Sequence, residues 1–343
     1  MTDSSLVFVA NAGDGSISTF RLADGRLDRL AVTPGLPGCS NFAIDGERDL
    51  LYAAVKADEE RGAGILTLAI DRETGALTPQ THLPLPDGGM NYLALTRDGS
   101  ALLGASYGGG YGIVCPVDGG VVGEPMARVD FPRLHSVLAS ADGRFAYFVS
   151  LEADLVAQYA LGDDLALTPL EPRTVACPAG SGPRHLVFSE QQDAVYVLTE
   201  FSAEVLRFAR DPETGVLEFR QAVPAHDPSK DLGHSVIDED PRANHFIWGA
   251  DIHLANGMLW CSERTEGTLG AVRIEADGTL VSPERFTVTE PQPRGFAVSP
   301  DGRFLVAAGE RSTTVSLYAV DGDELELLQQ AETGAGANWV RFG

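Results

Sequence analysis

Strand–turn–strand units recur along the whole chain, and this internal repeat limits the possible folds more than any other property of the sequence. Five segments align beneath one another: FAIDGERDLLYAAV, LALTRDGSALLGASY, SVLASADGRFAYFVS, LVFSEQQDAVYVLTE and FAVSPDGRFLVAAGE. Each predicts two apolar strands joined by a polar turn. The turn often holds Asp-Gly, a strong hairpin signal because glycine adopts positive φ without steric cost. The segment IHLANGMLWCSE carries Asn256-Gly257 at the same place.

A third and a fourth strand follow most of these hairpins, as in GSISTFRLADGRLDRL, AGILTLAIDRETGALTPQ and AEVLRFARDPETGVLEFR. No amphipathic helical pattern separates them, which excludes a sheet of alternating strands and helices. The second strand of each unit is predicted at Val7–Asn11, Leu51–Val55, Leu102–Ser106, Ala146–Ser150, Val195–Thr199, Leu259–Glu263 and Leu305–Gly309. Seven four-stranded units, at a spacing of roughly 45 to 65 residues, are typical of a β-propeller.

The two ends of the chain complete this pattern. The sequence begins with the second strand of a unit and ends on the single strand NWVRFG, so we expect the last strand to join the first blade and close the ring. We therefore predict an all-β fold, a seven-bladed β-propeller of four-stranded antiparallel blades, as one domain over residues 1–343. The long polar segment at residues 224–248 predicts a partial cover over one mouth of the central channel.

The charge of the chain narrows the possible partners. The sequence has 49 acidic and 25 basic residues, for a net charge of −24. Such a surface repels phosphate backbones and anionic lipid, so we expect neither nucleic-acid nor membrane binding. It also repels anionic metabolites, so an anionic ligand needs arginine and histidine gathered locally. No signal peptide or membrane span is recognised, and we expect a cytoplasmic protein. The four cysteines are far apart, which predicts free thiols: Cys39, Cys115, Cys177 and Cys261.

Polar residues stand at equivalent places in the turns that lead into the innermost strands. Four of the seven turns carry cationic side chains, namely His135, Arg184 with His185, His253, and Arg294. The other three carry amides, namely Asn41, Asn91 and Asn338. Because innermost strands line the channel of a propeller, we expect these side chains to form one ring at its mouth, with Asn338 binding substrate.

Further polar residues follow the second strands. Glu200 ends VYVLTE and Arg264 ends LWCSER, while equivalent positions hold Asn11, Lys56, Tyr107, Glu152 and Glu310. Glu200 is interpreted either as an ion-pair partner that holds the turn of Arg184 or as a general acid or base.

Cofactor chemistry has weaker support in the sequence. Asp251 and His253 share one face of a strand and could contribute to a hard-cation site, but no dense carboxylate cluster supports it. The motifs GxSxG, GxGxxG after a strand, and HExxH are absent. We therefore expect no metal and no cofactor.

The series HS (135–136), GPRH (182–185), TEF (199–201), ADIH (250–253), SERT (262–265) and QPRGF (292–296) resembles the seven-bladed lactonase family. The match runs through all seven repeats and is strongest from His135 to the C-terminus. The resemblance implies catalytic residues His135, Arg184, Glu200 and Arg264, with His185, His253 and Arg294 alongside for substrate binding.

The resemblance implies a lactonase, a carboxylic ester hydrolase of the 6-phosphogluconolactonase type in carbohydrate metabolism and the pentose phosphate pathway. Alternatives stay open at this point, because the family also contains a muconate cyclase. They are a non-phosphorylated aldonolactone or aldarolactone hydrolase, a muconate-type cycloisomerase, and a non-catalytic propeller scaffold. Glu152, an acid in the LEA segment, does not favour a phosphorylated substrate. The expected partner is a small anionic or polar lactone, and the chain is a monomer or a homodimer.

The GPRH turn carries two adjacent cationic side chains at the start of a strand. Because neighbouring strand residues face opposite ways, we expect at most one of them to reach the ligand. We choose Arg184 for that role and expect His185 to support a neighbouring blade or the pocket wall. Replacing Arg184 or Glu200 by alanine is expected to lower lactone turnover at least about tenfold with the fold retained.

Overall fold

A computed structural model describes residues 4–59 and 61–343 of the chain. Seven antiparallel sheets succeed one another along the sequence and form the blades of a propeller, numbered here 1 to 7 from the N-terminus. Five sheets have four strands, and in blades 3 and 6 the outermost strand is split into two short ones. The prediction of an all-β, seven-bladed propeller is confirmed.

The strands are numbered β1 to β30 along the chain and fall into four positions within the blades. The innermost strands are β4 (Phe42–Asp45), β8 (Tyr92–Leu95), β13 (Leu134–Ala139), β17 (Pro183–Phe188), β21 (Gly249–Ala255), β26 (Gly295–Val298) and β30 (Ala337–Phe342). The second strands are β1 (Ser5–Asn11), β5 (Leu50–Val55), β9 (Ala101–Ser106), β14 (Phe145–Ser150), β18 (Ala194–Thr199), β22 (Met258–Glu263) and β27 (Phe304–Ala308). The third strands are β2 (Ser16–Ala23), β6 (Gly64–Ile70), β10 (Tyr111–Asp118), β15 (Leu155–Leu161), β19 (Glu204–Arg210), β23 (Thr268–Ile274) and β28 (Thr314–Asp321). The outermost strands are β3 (Arg26–Thr33), β7 (Leu77–Pro84), β11 (Val121–Val122) with β12 (Ala127–Asp130), β16 (Leu167–Ala176), β20 (Leu217–Pro224), β24 (Leu280–Val281) with β25 (Phe286–Val288), and β29 (Glu324–Glu332).

Burial decreases from the second strands to the outermost ones. Every residue of β14 is buried, because neighbouring blades cover both faces of the sheet there. The outermost strand β29 instead contains only exposed and half-buried residues. This gradient explains why the second strands read as continuous apolar runs, whereas the outermost strands read as charged and alternating ones.

The last strand closes the ring, as predicted. β30 pairs antiparallel with β1, with Val340 opposite Val9, so the first blade combines the two ends of the described chain. The Asn-Gly hairpin is also confirmed: Asn256 and Gly257 join β21 to β22 with φ of 52° and 73°. Positive φ at both central turn residues matches the twist of the flanking strands and favours asparagine and glycine.

The long connection between β20 and β21 crosses toward the fourth blade. It contains a short 3₁₀ helix (Pro228–Lys230), and its Asp238 accepts two hydrogen bonds from Arg133, which lies in the turn before β13. Glu263 fixes the far end of this connection, because its carboxylate accepts the backbone N–H of Trp248 at 2.9 Å.

Two sequence expectations outside the site can be compared directly with the structure. All four cysteines are free and buried, as predicted. Among the described residues, no helix combines the length and the apolar character that crossing a membrane requires.

Candidate active site

Three consecutive innermost strands carry an extra, unpaired residue at the end where they begin. In β13 the pairing passes from Leu134 directly to Ser136, which leaves His135 unpaired. In β17 it passes from Pro183 to His185 and omits Arg184. In β21 two residues, Ala250 and Asp251, lie between the paired positions. Such bulges turn side chains out of the regular alternation, and they are frequent beside active sites.

Side chains of neighbouring blades bind the carbonyl groups at these bulges. Asn91 Nδ2 donates to the His135 carbonyl at 2.6 Å, and Ser136 Oγ donates to the Arg184 carbonyl at 2.6 Å. Arg184 Nη1 in turn donates to the Ala250 carbonyl at 2.5 Å. Blades 3, 4, 5 and 6 are therefore linked through the residues that form the centre of the mouth.

A cavity of about 750 Å³ lies at this mouth, which is within the usual size range of small-molecule sites. Blades 4 to 7 line it with His135, Glu200, Trp248, Arg264, Arg294 and Glu310. Blades 1 to 3 line it mostly with small residues, together with Lys56, Asn91, Tyr107 and Asn338. Of the polar residues that the repeat is expected to place in one ring, Asn91, His135, Arg294 and Asn338 line this cavity, whereas Asn41 does not.

Glu200 forms the centre of the charged wall. Its Oε2 lies 2.8 Å from Arg184 Nε and 3.0 Å from Arg264 Nη2, and its Oε1 accepts the indole N–H of Trp248 at 3.2 Å. Burial acts to raise the pKa of Glu200, but the charges of Arg264, Arg184 and Arg294 outweigh it and lower the pKa below its usual value. The carboxylate is therefore ionised and a poor proton acceptor at neutral pH.

Arg264 is held between this carboxylate and an aromatic face. Its guanidinium carbon lies 3.8 Å from the ring centre of Trp248, and Nη2 donates to the Gly249 carbonyl at 3.1 Å. Burial lowers the pKa of Arg264 to about 9, although Glu200 acts in the opposite direction. The side chain is still cationic at neutral pH, and its orientation is fixed before any ligand binds.

Arg294 forms a second and more accessible ion pair on the same wall. Its Nη1 lies 2.9 Å from Glu310 Oε1, and Gln292 donates to Glu310 Oε2 at 2.5 Å. About a third of the Arg294 side chain is exposed, against 2% of the Arg264 side chain. Glu310 outweighs the effect of burial and raises the pKa of Arg294. This guanidinium is the site arginine with most contact to solvent.

His135 is a neutral imidazole on the cavity wall. Burial, with the nearby charges of Arg184 and Arg294, lowers the pKa of His135 well below its usual value of 6.5. Its Nδ1 is buried and has no hydrogen-bond partner within residues 4–59 and 61–343. The ring contacts those of Tyr107 and His185 edge-on, with ring centres 5.6 and 5.1 Å apart. The ring is therefore uncharged at neutral pH, and its Nδ1 is not occupied by another described residue.

A second polar layer lies behind the cavity wall. Asp251 Oδ1 lies 2.7 Å from His185 Nδ1, and Asp251 Oδ2 lies 3.1 Å from His253 Nε2 and 3.5 Å from Arg341 Nη1. Burial and Arg184 lower the pKa of His185 to about 3, so this imidazole is neutral as well. Neither His185 nor His253 lines the cavity.

The expectation that Arg184 and His185 face opposite ways is wrong. Arg184 Nη1 lies 3.0 Å from His185 Nε2, and both side chains are almost fully buried in the channel. The bulge is the reason, because strict alternation holds only where each residue has a partner on the next strand. Arg184 lies behind Glu200 and does not line the cavity, whereas His185 contacts Asp251 of the next blade.

The structure adds contacts that sequence reasoning did not identify. Trp248 contacts both Arg264 and Glu200, and in the sequence only its place just before GADIH in the sixth repeat connects it to the site. Asp251 contacts two histidines and lies near one arginine. Glu152 contacts Arg133 at 3.2 Å and does not line the cavity, so its charge is engaged outside the site.

Comparison with known proteins gives a consistent result. Residues 4–342 match the family described as Lactonase, 7-bladed beta-propeller. The chain is 32% identical to a 6-phosphogluconolactonase of Pectobacterium atrosepticum and 31% identical to one of Pectobacterium carotovorum, in each case with 98% of this chain and 97% of the relative covered. A periplasmic gluconolactonase of Pseudomonas aeruginosa has the same fold, with a TM-score of 0.85, 23% identity and 99% of each chain covered.

The family match covers all seven blades, and two of these relatives exceed 30% identity over nearly the whole chain. The resemblance inferred from the motifs is thereby confirmed. This chain belongs to the seven-bladed β-propeller lactonase family.

Proposed function

We propose that this chain hydrolyses the ester bond of a sugar lactone, with 6-phosphogluconolactone as the leading substrate, in a single domain over residues 1–343. The observation that carries the proposal is one cavity wall that combines two oriented guanidinium groups, Arg264 and Arg294, with the neutral imidazole of His135. The name 6-phosphogluconolactonase of the relatives that are 31–32% identical supports the choice of substrate.

Water is the proposed nucleophile. Cys39 lies between two residues that line the cavity, Gly38 and Ser40. Burial raises the pKa of its thiol to about 12, so the thiol is protonated at neutral pH. Ser40 lines the cavity, but no histidine or carboxylate of the described residues forms a hydrogen bond with its hydroxyl. A covalent intermediate on either side chain would lack an activated nucleophile.

His135 is the proposed general base. It takes a proton from a water molecule as the water oxygen bonds to the lactone carbonyl carbon, and a tetrahedral oxyanion forms. The ring C–O bond then breaks, and the imidazolium returns the proton to the leaving ring oxygen. The product is the open-chain hydroxy acid. Glu200 suits this step less well, because its carboxylate is held in ion pairs with Arg184 and Arg264, whereas Nδ1 of His135 has no partner among the described residues.

Arg264 and Arg294 are the proposed oxyanion-stabilising groups. Their charges are oriented by Glu200 and Glu310 before the substrate binds, which is the condition for strong electrostatic stabilisation of a transition state. Arg184 acts one step further away, as a positioning residue that holds Glu200. Asn338, whose Oδ1 is buried without a partner among the described residues, is proposed to bind the substrate. His185 and His253 are proposed to support it through Asp251.

The test is a proton-release assay in weak buffer with 6-phosphogluconolactone, gluconolactone and carboxymuconate, each corrected for its uncatalysed rate. The wild type is expected to open the phosphorylated lactone fastest. Arg264→Gln is expected to lower kcat/KM at least about a hundredfold, because one oriented donor to the oxyanion is lost.

Arg273→Gln is the matched control, because Arg273 lies in the same blade on an exposed part of β23 and, among the described residues, forms an ion pair with Glu275 alone. It should keep kcat/KM within about twofold. No lactone rate above background in the wild type, or full activity in Arg264→Gln, would contradict the proposal.

We further propose that the chain is a cytoplasmic monomer or homodimer. The four free, buried cysteines support a reducing compartment. Cell fractionation with a periplasmic marker protein tests this location, and recovery of the chain with the marker would overturn it.

A further inference from the structure

Lys56 differs from every other cation of the cavity. Five charged side chains line it, and four of them form ion pairs: Glu200 with Arg264, and Glu310 with Arg294. Lys56 is the fifth, and no carboxylate of residues 4–59 or 61–343 lies within ion-pair distance of its ammonium group. Asp58, two residues further along, instead contacts Arg61. Within the part of the chain that the structure describes, Lys56 is thus a cavity charge without an ion-pair partner, in a chain of net charge −24.

The position of Lys56 places that charge away from the reacting groups. Lys56 follows β5 in blade 2, which is three blades from Glu200 in blade 5 and three blades from Arg264 in blade 6 around the ring of seven. It therefore lies across the cavity from both. Small side chains, including Ala54, Ala57 and Ala63, line the cavity on its side.

The turn before β4 gives this lysine room to extend. Gly38 lines the cavity, and a Cβ at that position would lie 2.6 Å from Lys56 Cδ, so the absence of a side chain lets the lysine stem lie against the turn. Gly38 also has φ of +56°, which other residues adopt at a cost. Ser40 in the same turn lines the cavity with a hydroxyl group that no other described residue binds.

We propose that Lys56 and Ser40 form a subsite for a phosphate group at the end of the lactone that does not react. This inference rests on the proposed hydrolysis at the same cavity and extends it to substrate selection. An ammonium group binds a phosphate as a compact point charge, and the Ser40 hydroxyl can donate a hydrogen bond to a phosphate oxygen. The chain contains 23 arginines and only two lysines, Lys56 and Lys230. Lysine is therefore rare in this chain, and one of the two lysines lines the cavity.

The first experiment compares Lys56→Gln with Lys230→Gln, which removes the same charge from the 3₁₀ helix outside the cavity. Lys56→Gln is expected to raise KM for 6-phosphogluconolactone about tenfold to a hundredfold, the usual effect of losing a hydrogen bond to a charged group, with kcat and gluconolactone turnover unchanged. Lys230→Gln should match the wild type on both lactones. Equal losses on both lactones in Lys56→Gln, or no loss on either, would overturn the subsite.

The second experiment needs no catalysis, so it separates failure of the subsite from failure of the proposed function. Lysine acylation by a succinimidyl ester is followed by mass spectrometry in inorganic phosphate and in chloride of equal ionic strength. Phosphate is expected to slow acylation of Lys56 at least threefold and to leave Lys230 unchanged. Equal rates at Lys56 in the two salts would overturn the subsite even in an active lactonase, whereas protection in a chain without lactone turnover would overturn only the proposed reaction.

Discussion

Blades 4 to 6 and blades 2 and 3 contribute to the same cavity with different backbones and different side chains. The innermost strands of blades 4, 5 and 6 are bulged, and they place His135, Arg184 and Asp251 at the centre of the channel. The innermost strands of blades 2 and 3, β4 and β8, pair with their neighbours without a register shift. Alanine and glycine make up half of the residues that line their side of the mouth.

This difference shows how a repeated unit produces an asymmetric site. A bulge adds one residue to a strand and turns a side chain toward the channel, where ion pairs with the next blade can hold it. A regular strand keeps its side chains within the blade and leaves space at the mouth. We interpret the charged side of the mouth, formed by blades 4 to 7, as the place where the ester bond reacts. The side formed by blades 1 to 3 is then the place where the rest of the substrate lies.

The strongest test of this division is Glu200→Ala. The change leaves the buried Arg184 and Arg264 without their shared carboxylate, so we expect activity to fall by about a thousandfold and the free energy of unfolding by about 3–5 kcal/mol. Glu152→Ala, which removes a partly exposed acid of blade 4, should cost less than about 1 kcal/mol and change activity little. Lactone kinetics measure the activity of the two variants, and urea unfolding measures their stability. Equal losses in the two variants would contradict the division of the cavity into a reacting side and a binding side.

His135→Phe separates catalysis from stability in the charged half. A phenyl ring keeps the edge contacts with Tyr107 and His185 and removes a buried nitrogen that has no partner among the described residues. We expect kcat to fall by about a hundredfold or more, with the stability unchanged or slightly higher. The same two measurements apply, and retention of kcat would assign the proton transfer to another group.

The lowered pKa of His135 should also affect how the free energy of unfolding depends on pH. Above pH 6.5 His135 is neutral in the folded and the unfolded chain. Below that pH the unfolded chain binds a proton that the folded chain binds poorly, so the free energy of unfolding falls as the pH decreases. Between pH 6.5 and 5, His135→Phe should reduce this slope by up to about 1.4 kcal/mol per pH unit. Identical slopes in urea titrations of wild type and variant would show that the pKa of His135 is not lowered.

The smallest effect is expected in the half lined by small residues. Ala57→Phe fills part of the cavity at an exposed position, so we expect KM for the phosphorylated lactone to rise about threefold to tenfold, with kcat nearly unchanged. Gly108→Ala is the control, because a Cβ there would meet nothing within 4 Å. A fall in kcat without a change in KM would place Ala57 beside the reacting groups instead.

Part of the site could be predicted because aligning the repeats identifies equivalent positions in the turns as well as equivalent strands. Once the units are aligned, His135, Arg184 and Arg294 occupy equivalent turns, and equivalent turns of a propeller meet at one mouth. Alignment could not show that Arg184 lies behind Glu200, because the bulge in β17 depends on how the strand pairs with β18. Nor could it show the contact of Trp248 with Arg264, since Trp248 lies in an irregular connection without a period.

The sequence by itself determined the strands, the hairpin turns, the number of blades and the closure of the ring by β30. These properties follow from alternation, turn residues and spacing, which act over a few residues and recur in every unit. Only the tertiary structure decided that Glu200 binds arginines from two blades, that His185 contacts Asp251, and that Lys56 has no partner among the described residues. Those outcomes depend on distances and electrostatic fields between blades, and closure of the ring sets both.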